Sequence, residues 1–195
     1  MRKLTSLIAI ACYLIAFNTN RPNYTIIDNS ASDTSIHAVA SSYKDELNHT
    51  NIKLTQEQVN NIVETVKKEE ERKKEQYNIN LYLLAQVIYS EAGSNWISDE
   101  VQLMVANVVM NRVESPYFAN TIYDVIYSPN QYQFIKYNIS VIPDKRALIN
   151  AKKILDGFRI LPNNVLYQSE YKTLGDGLYK KVQTKYATMY FNYKK

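Results

Sequence analysis

Histidine and cysteine are almost absent from this chain of 195 residues. The only histidines are His37 and His49, and the only cysteine is Cys12. One cysteine excludes an intrachain disulfide, and so small an inventory excludes a metal cluster built from histidine and cysteine. Ser–His and Cys–His nucleophile pairs are equally excluded after residue 54. Chemistry there must use carboxylates, hydroxyls, amides, Lys or Arg, so we expect no metal and no cofactor.

Glycine is also scarce, with 4 residues against 17 tyrosines, so tyrosine supplies most of the aromatic surface. The net charge of +4 suits a polyanionic partner but is too small to indicate nucleic acid. No basic run with interleaved aromatic residues resembles a nucleic-acid-binding motif, so we expect no such partner. The length predicts one domain of ordinary size with an appendage, and the oligomeric state stays open.

Residues 1–17 have the pattern of an export signal. Arg2 and Lys3 precede an apolar run from Leu4 to Phe17 that is short for a transmembrane helix. No clear cleavage site follows, so residues 4–17 are either part of a cleaved signal or an uncleaved membrane anchor. Both predict an exported protein, secreted or anchored to the membrane; a buried N-terminal helix is the alternative.

The next two segments differ in composition. Residues 18–54 are rich in Ser, Thr, Asn and Asp with little apolar periodicity, which predicts a disordered linker. Thr55 and Gln58 then form a capping-box pattern, which predicts a helix through about Gln76. Because its second half is the charged run KKEEERKKEQ, typical of a solvated face, we interpret residues 55–77 as a helical spacer.

An apolar stripe with helical spacing runs towards Glu91 and consists of Leu81, Leu84, Ala85 and Ile88. Glu91 is the next position on that face, and Gly93 is a natural helix end. Burial beside the stripe and the negative end of the helix dipole both raise the pKa of a carboxyl group. Glu91 is therefore a candidate general acid at neutral pH, unless it lies at the rim of the stripe and reaches water.

A second helix is predicted to begin after Ser98 and to run to Val113 with a strong apolar stripe. Arg112 continues this apolar face, so we expect it to be partly buried and paired with a carboxylate or a helix C-terminus. Asn111 is beside it and either donates to a ligand or completes the packing.

Amides next to aromatic residues in the extended segment Gln131-Tyr132-Gln133-Phe134 suit sugar binding, because rings stack on the apolar faces of pyranoses. Such rings are, however, more often part of a core. Thr121 and Asp144 are expected to cap two further helices.

The chain after Gly157 alternates in character, with a turn at residues 175–177, and predicts two or three antiparallel strands. Helices followed by strands make a small α+β domain at residues 78–195.

Four segments in this order resemble the spore cortex-lytic, SleB-type family of cell wall hydrolases. They are Glu91-Ala92-Gly93, VANVVMNRV at 105–113, SPYFANTIYDVIYSPNQY at 115–132 and AKKILDG at 151–157. The resemblance implies a lysozyme-like catalytic domain at 78–195 that acts on peptidoglycan glycan strands, with Glu91 as the catalytic residue. It also implies cleft positions for Asn111-Arg112 and Gln131-Tyr132. The chain departs from the family at Ser94-Asn95, where Gly-Glu is common, and at residues 189–191, where a His-x-Phe element is common.

The expected partner is thus the glycan strand, with Asn111, Gln131, Tyr132 and Phe134 as substrate-binding residues. A hydrolase normally needs a second carboxylate. The available acids all suit a helix terminus better, which favours a lytic transglycosylase that uses Glu91 alone: Asp99, Glu100, Glu114 and Asp124. The alternatives are a glycosidase that uses water, an N-acetylmuramoyl-L-alanine amidase, for which the domain lacks zinc ligands, and a non-catalytic, membrane-anchored wall-binding protein.

Overall fold

The computed structural model describes residues 55–129, 131–132, 140–170 and 174–195. In chain order the elements are α1 (Gln56–Ala92), α2 (Asp99–Val113), α3 (Ile122–Tyr127), α4 (Lys145–Leu155), β1 (Val165–Ser169), β2 (Gly177–Gln183) and β3 (Thr188–Tyr193). The predicted signal or anchor, the predicted linker and Phe134 lie outside the described residues. None of the helices in the described ranges combines the length and the apolar character that a membrane crossing requires.

Helix α1 has 37 residues, so it is about 55 Å long. It begins as predicted: the Thr55 hydroxyl accepts a hydrogen bond from the Gln58 amide at 3.3 Å, and the Gln58 side chain accepts one from the Thr55 amide at 2.9 Å. The predicted end near Gln76 is wrong, because the helix continues to Ala92. No glycine or proline stands between these two residues to interrupt it. The charged spacer and the apolar stripe therefore belong to one helix.

The charged half of α1 is exposed, as its composition predicts. Its ion pairs, such as Glu64–Lys68 at 2.8 Å, lie in solvent, where they contribute little to stability. Where this half ends, the Tyr77 hydroxyl donates a hydrogen bond to Asp156, the residue after α4, at 2.6 Å. From there on, α1 packs against the rest of the domain.

Helix α2 occupies the centre of the domain. Its N-cap is Ser98, as predicted, and Asp99 and Glu100 lie in the first turn, where the helix dipole favours negative charge. Eleven of its 15 residues are buried, because α1, α3, α4 and β1 all pack against it. The two shorter helices also begin at their predicted caps, Thr121 for α3 and Asp144 for α4.

The three strands form one antiparallel sheet in the order β1-β3-β2. Phe191 of β3 pairs with Gln168 of β1 on one side and with Lys180 of β2 on the other. Phe191 is fully buried in the core, and directly opposed residues share a sheet face. Gln168 and Lys180 therefore lie on the face that packs against the helices. This arrangement confirms the predicted α+β class with a short antiparallel sheet.

Asn107 and Asn111, one turn apart on α2, fasten the segment that leads into β1. The side-chain oxygen of Asn107 accepts hydrogen bonds from the backbone amides of Ile160 at 2.7 Å and Leu161 at 2.9 Å. Its nitrogen donates to the Asn111 side-chain oxygen at 2.8 Å. Asn107 is fully buried, so these backbone amides depend on it.

We expect Asn107→Ala to lower the free energy of unfolding by about 2–4 kcal/mol, because it leaves two backbone amides without an acceptor. Urea unfolding followed by circular dichroism measures this change. Asn60→Ala, at an exposed position of α1, is the control. Equal unfolding midpoints for the two variants would contradict the structural role of Asn107.

Candidate active site

Glu91 lies in the last turn of α1, at the end of the apolar stripe. Leu84 and Ile88 on the same face are fully buried, and Glu91 itself is partly buried. The helix ends at Ala92 and is followed by Gly93, as predicted. A Cβ atom on Gly93 would stand 2.3 Å from the Tyr89 carbonyl oxygen. The chain can therefore turn this closely after Glu91 only with glycine at position 93.

The end of α1 is held by a buried side chain of α2. The Gln102 side-chain nitrogen donates to the Ala92 carbonyl at 2.9 Å, and its oxygen accepts from the Asn150 side chain of α4 at 2.8 Å. Gln102 and Asn150 are both buried. Sequence reasoning missed this pair, although a glutamine between apolar neighbours in α2 is itself a signal. The bond fixes the backbone next to Glu91.

The charge state of Glu91 is set by its surroundings. Burial raises the pKa of Glu91 above its usual value and is the largest influence. The Arg112 guanidinium lowers this pKa, the Glu170 carboxylate raises it, and a hydrogen bond from the Gln168 side chain lowers it. The net shift of the pKa is upward, which confirms the direction predicted from the apolar stripe.

Arg112 supplies the positive charge that acts on Glu91. Its side chain is buried, with the residue 5% exposed. Its Nε donates to the Leu166 carbonyl at 2.8 Å, and one terminal nitrogen donates to the Gln131 side-chain oxygen at 2.9 Å. Its guanidinium carbon lies 5.1 Å from the Phe118 ring centroid. Its hydrogen bonds thus go to a strand carbonyl and an amide, and the predicted pairing with a carboxylate is limited to the charge that it exerts on Glu91.

Gln131 and Tyr132 both contact Arg112, so the structure brings these predicted residues together with Glu91. Gln131 is partly buried. Tyr132 is only 4% exposed, and its hydroxyl accepts a hydrogen bond from Arg112 at 3.3 Å. A ring so deeply buried cannot stack on a sugar, so the predicted contact of the Tyr132 ring with substrate is wrong. Of the four predicted substrate-binding residues, Phe134 lies outside the described ranges.

Asn111 does not face a ligand. Its side-chain nitrogen donates to the Pro162 carbonyl at 2.7 Å and to the Val165 carbonyl at 3.0 Å. Its oxygen accepts from Asn107, and the residue is 2% exposed. Both amide hydrogens are thus used within the fold, so the prediction that Asn111 binds substrate is corrected to a role in joining α2 to β1.

The four acids considered from the sequence are all engaged elsewhere. Asp99 pairs with Arg146 at 2.5 Å, Glu100 with Lys180 at 2.5 Å, and Glu114 with Arg159 at 2.7 Å. Asp124 accepts a hydrogen bond from the Thr121 hydroxyl at 2.6 Å in its own helix cap. Among the described residues, no group of three His, Cys, Asp or Glu side chains could hold a metal ion.

Sequence reasoning missed Gln168 and Glu170. Gln168 lies on the helix-facing side of β1. Glu170 follows the last residue of β1 and is exposed. The only sequence signal is a Gln-x-Glu pattern at the end of a strand, which does not reveal that the strand packs beside Glu91.

The raised pKa of Glu91 predicts that this residue lowers stability as pH rises. In the window between the unfolded and folded pKa values, the folded chain keeps a proton on Glu91 that the unfolded chain has lost. The free energy of unfolding therefore falls as pH rises through that window. Glu91→Gln removes this effect, so we expect the melting temperature of the variant, relative to the wild type, to increase as pH rises above about 4, the ordinary pKa of a glutamate.

Thermal unfolding followed by circular dichroism across this pH range tests the prediction. Glu114→Gln, which removes an exposed carboxylate, is the control and should show no such gain. A constant difference between Glu91→Gln and the wild type would contradict the raised pKa.

Comparison with known proteins places the chain in a family. The family model described as Cell Wall Hydrolase (Hydrolase_2) matches residues 97–195, about half of the chain, and begins six residues after Glu91. The catalytic domain of the Bacillus cereus SleB protein is similar at 24% identity, covering 58% of this chain and 89% of that one, with a TM-score of 0.43. The catalytic domain of the germination-specific lytic transglycosylase SleB from Bacillus anthracis is similar at 24% identity, covering 57% and 92%, with a TM-score of 0.45.

A search of curated proteins gives no match. The family match confirms the family that the motifs predict. The chain belongs to the cell wall hydrolase family.

Proposed function

We propose that the chain cleaves the glycan strand of peptidoglycan between amino sugars, with Glu91 as general acid and then base. The observation that supports this most directly is the raised pKa of Glu91, a partly buried carboxyl group at a helix end. A carboxyl group with a raised pKa keeps its proton to higher pH and can donate it to a leaving group. The family supplies the substrate class, and Glu91 supplies the proton.

The reaction begins when protonated Glu91 donates to the oxygen of the glycosidic bond. The bond between that oxygen and the anomeric carbon breaks, and positive charge develops on the sugar ring. Glu91 is then a carboxylate. Arg112 and the Gln168 hydrogen bond, which both lower the pKa of Glu91, stabilise this ionised form.

The second step returns the proton to Glu91. In the lytic transglycosylase route, the C6 hydroxyl of the same muramic acid attacks the anomeric carbon and gives its proton to Glu91, which forms a 1,6-anhydro ring. This route needs one carboxylate. It is favoured because four other acids of the domain are bound to partners of their own: Asp99, Glu100, Glu114 and Asp124.

We assign the contact with substrate to Gln131 rather than to Asn111 or Tyr132. Arg112 holds the side-chain oxygen of Gln131, and the side-chain nitrogen has no partner among the described residues. An amide nitrogen fixed in this way is a donor for a sugar hydroxyl or acetamido oxygen.

A glycosidase that uses water is the second candidate, and Glu170 is the observation that favours it. Glu170 raises the pKa of Glu91, so its charge lies close enough to act on the same site. A pair of carboxylates is what a hydrolase uses to activate water or to hold the glycosyl intermediate.

The place of action is outside the membrane, since peptidoglycan is a wall polymer. Export through residues 1–17 therefore stays part of the proposal. The chain is either secreted or held at the membrane by residues 4–17.

We expect Glu91→Gln to reduce cleavage on the order of 10²–10⁴-fold, because glutamine cannot donate or accept the proton. Loss of turbidity of purified walls and release of soluble muropeptides measure the rate. Glu100→Gln, whose parent side chain is bound to Lys180, is the control and should keep activity. A folded Glu91→Gln protein that clears walls at the wild-type rate would remove Glu91 from the mechanism.

Mass spectrometry of the released sugars separates the two routes. The transglycosylase route gives 1,6-anhydro ends, and Glu170→Gln then stays active with its alkaline limb shifted to lower pH, because a neighbouring negative charge is lost. Water-added reducing ends, together with loss of activity in Glu170→Gln, would instead establish the two-carboxylate hydrolase.

A further inference from the structure

Two aromatic rings stand in contact on the surface. Trp96 and Tyr186 meet edge to face, with ring centroids 4.8 Å apart. They are nevertheless 52% and 66% exposed. Large rings that remain this exposed keep most of their apolar surface available to a ligand.

Both rings sit on tight turns that limit their movement. Trp96 lies in a turn closed by a hydrogen bond from the Ile97 amide to the Ser94 carbonyl at 3.0 Å. Tyr186 lies between β2 and β3, where the Thr184 amide donates to the Ala187 carbonyl at 2.9 Å. The Thr184 hydroxyl accepts a hydrogen bond from the Ala187 amide at 3.0 Å, which closes the same turn a second time. A fixed pair of rings loses little conformational entropy on binding.

The pair lies at the same end of the domain as Glu91. Trp96 follows Glu91 by five residues, and the intervening segment is the turn after α1. In the sheet, the end of β1 that carries Gln168 is opposite the start of β3, so the turn with Tyr186 extends from this end. Tyr186 lies two residues before β3 begins at Thr188, and Phe191 of β3 is the partner of Gln168.

A positive charge lies beside the pair. The Lys185 ammonium lies 4.9 Å from the centroid of the Tyr186 ring. Lys181 and Lys185 are exposed, and within the described residues neither forms an ion pair, whereas Lys180 is bound to Glu100. The peptide stems of peptidoglycan carry carboxylates, so a strand laid over this surface meets charges of opposite sign.

We propose that Trp96 and Tyr186 form a distal subsite that binds the glycan strand several sugars away from the bond at Glu91. The rings stack against the apolar faces of the pyranoses, and Lys185 attracts the acidic stems. The subsite rests on the proposed function, because it serves the substrate that Glu91 cleaves. It would let the enzyme hold long strands of wall and prefer them over short fragments.

The test measures binding first, in the Glu91→Gln background, so that the strand is not cut. We expect adding Trp96→Ala or Tyr186→Ala to raise the Kd for soluble glycan strands about 3- to 10-fold, the loss of one aromatic contact. Phe158→Ala is the matched control: Phe158 is 50% exposed, near Asp156 and Tyr77, which places it about 20 Å along α1 from Glu91. The Phe158→Ala control should leave the Kd for glycan strands unchanged.

Strand length then provides a second readout in the active protein. The increase of KM in Trp96→Ala should be larger for long strands than for disaccharide-length fragments, which cannot reach the pair. An unchanged Kd in both aromatic variants, or an equal loss in Phe158→Ala, would overturn the subsite. If the wild type releases no sugar fragments but the aromatic variants still bind strands more weakly, the cleavage proposal fails while the subsite stands.

Discussion

The balance of charge around Glu91 is the constraint on which the rest of the structure depends. A carboxyl group acts as an acid at neutral pH only if its proton is retained, and a direct ion pair with a guanidinium would remove that proton. Arg112 is close enough to lower the pKa of Glu91, yet its hydrogen bonds go to Leu166 and Gln131. Because these hydrogen bonds go to other groups and Arg112 acts on Glu91 only through its charge, burial prevails and the pKa of Glu91 stays raised.

Helix α2 holds the groups around Glu91 in place, because it contacts every element that contributes to this balance of charge. Near its start, Gln102 holds the last carbonyl of α1, and with it the backbone next to Glu91. At its other end, Arg112 binds the Leu166 carbonyl in β1. The distance between the acid and the strand is therefore set by side chains of one buried helix. This explains why a helix with an almost entirely buried surface carries glutamine, asparagine and arginine.

The sequence predicts what depends on neighbours within a few residues. The caps at Thr55 and Ser98, the helix end before Gly93 and the direction of the Glu91 pKa shift all follow from local pattern and burial. The roles of Asn111 and Tyr132 cannot be predicted in this way, because the local sequence around an asparagine or a tyrosine does not distinguish a cleft position from a core position. The partners of Glu91 in and just after β1 are 77 and 79 residues away in the chain, so only the packing of the strand against the helices reveals them.

Strand β1 brings two opposite influences to the same carboxyl group. The Gln168 hydrogen bond lowers the pKa of Glu91, whereas the charge of Glu170 raises it. A group that first donates and later accepts a proton works best when its pKa lies near the working pH. A pKa far above that pH would make Glu91 a weak acid that donates its proton poorly. A residue of β1 and the residue that follows this strand act in opposite directions and can set such an intermediate value. The position of β1 relative to α1 then adjusts the pKa of Glu91, although burial remains the largest influence on it.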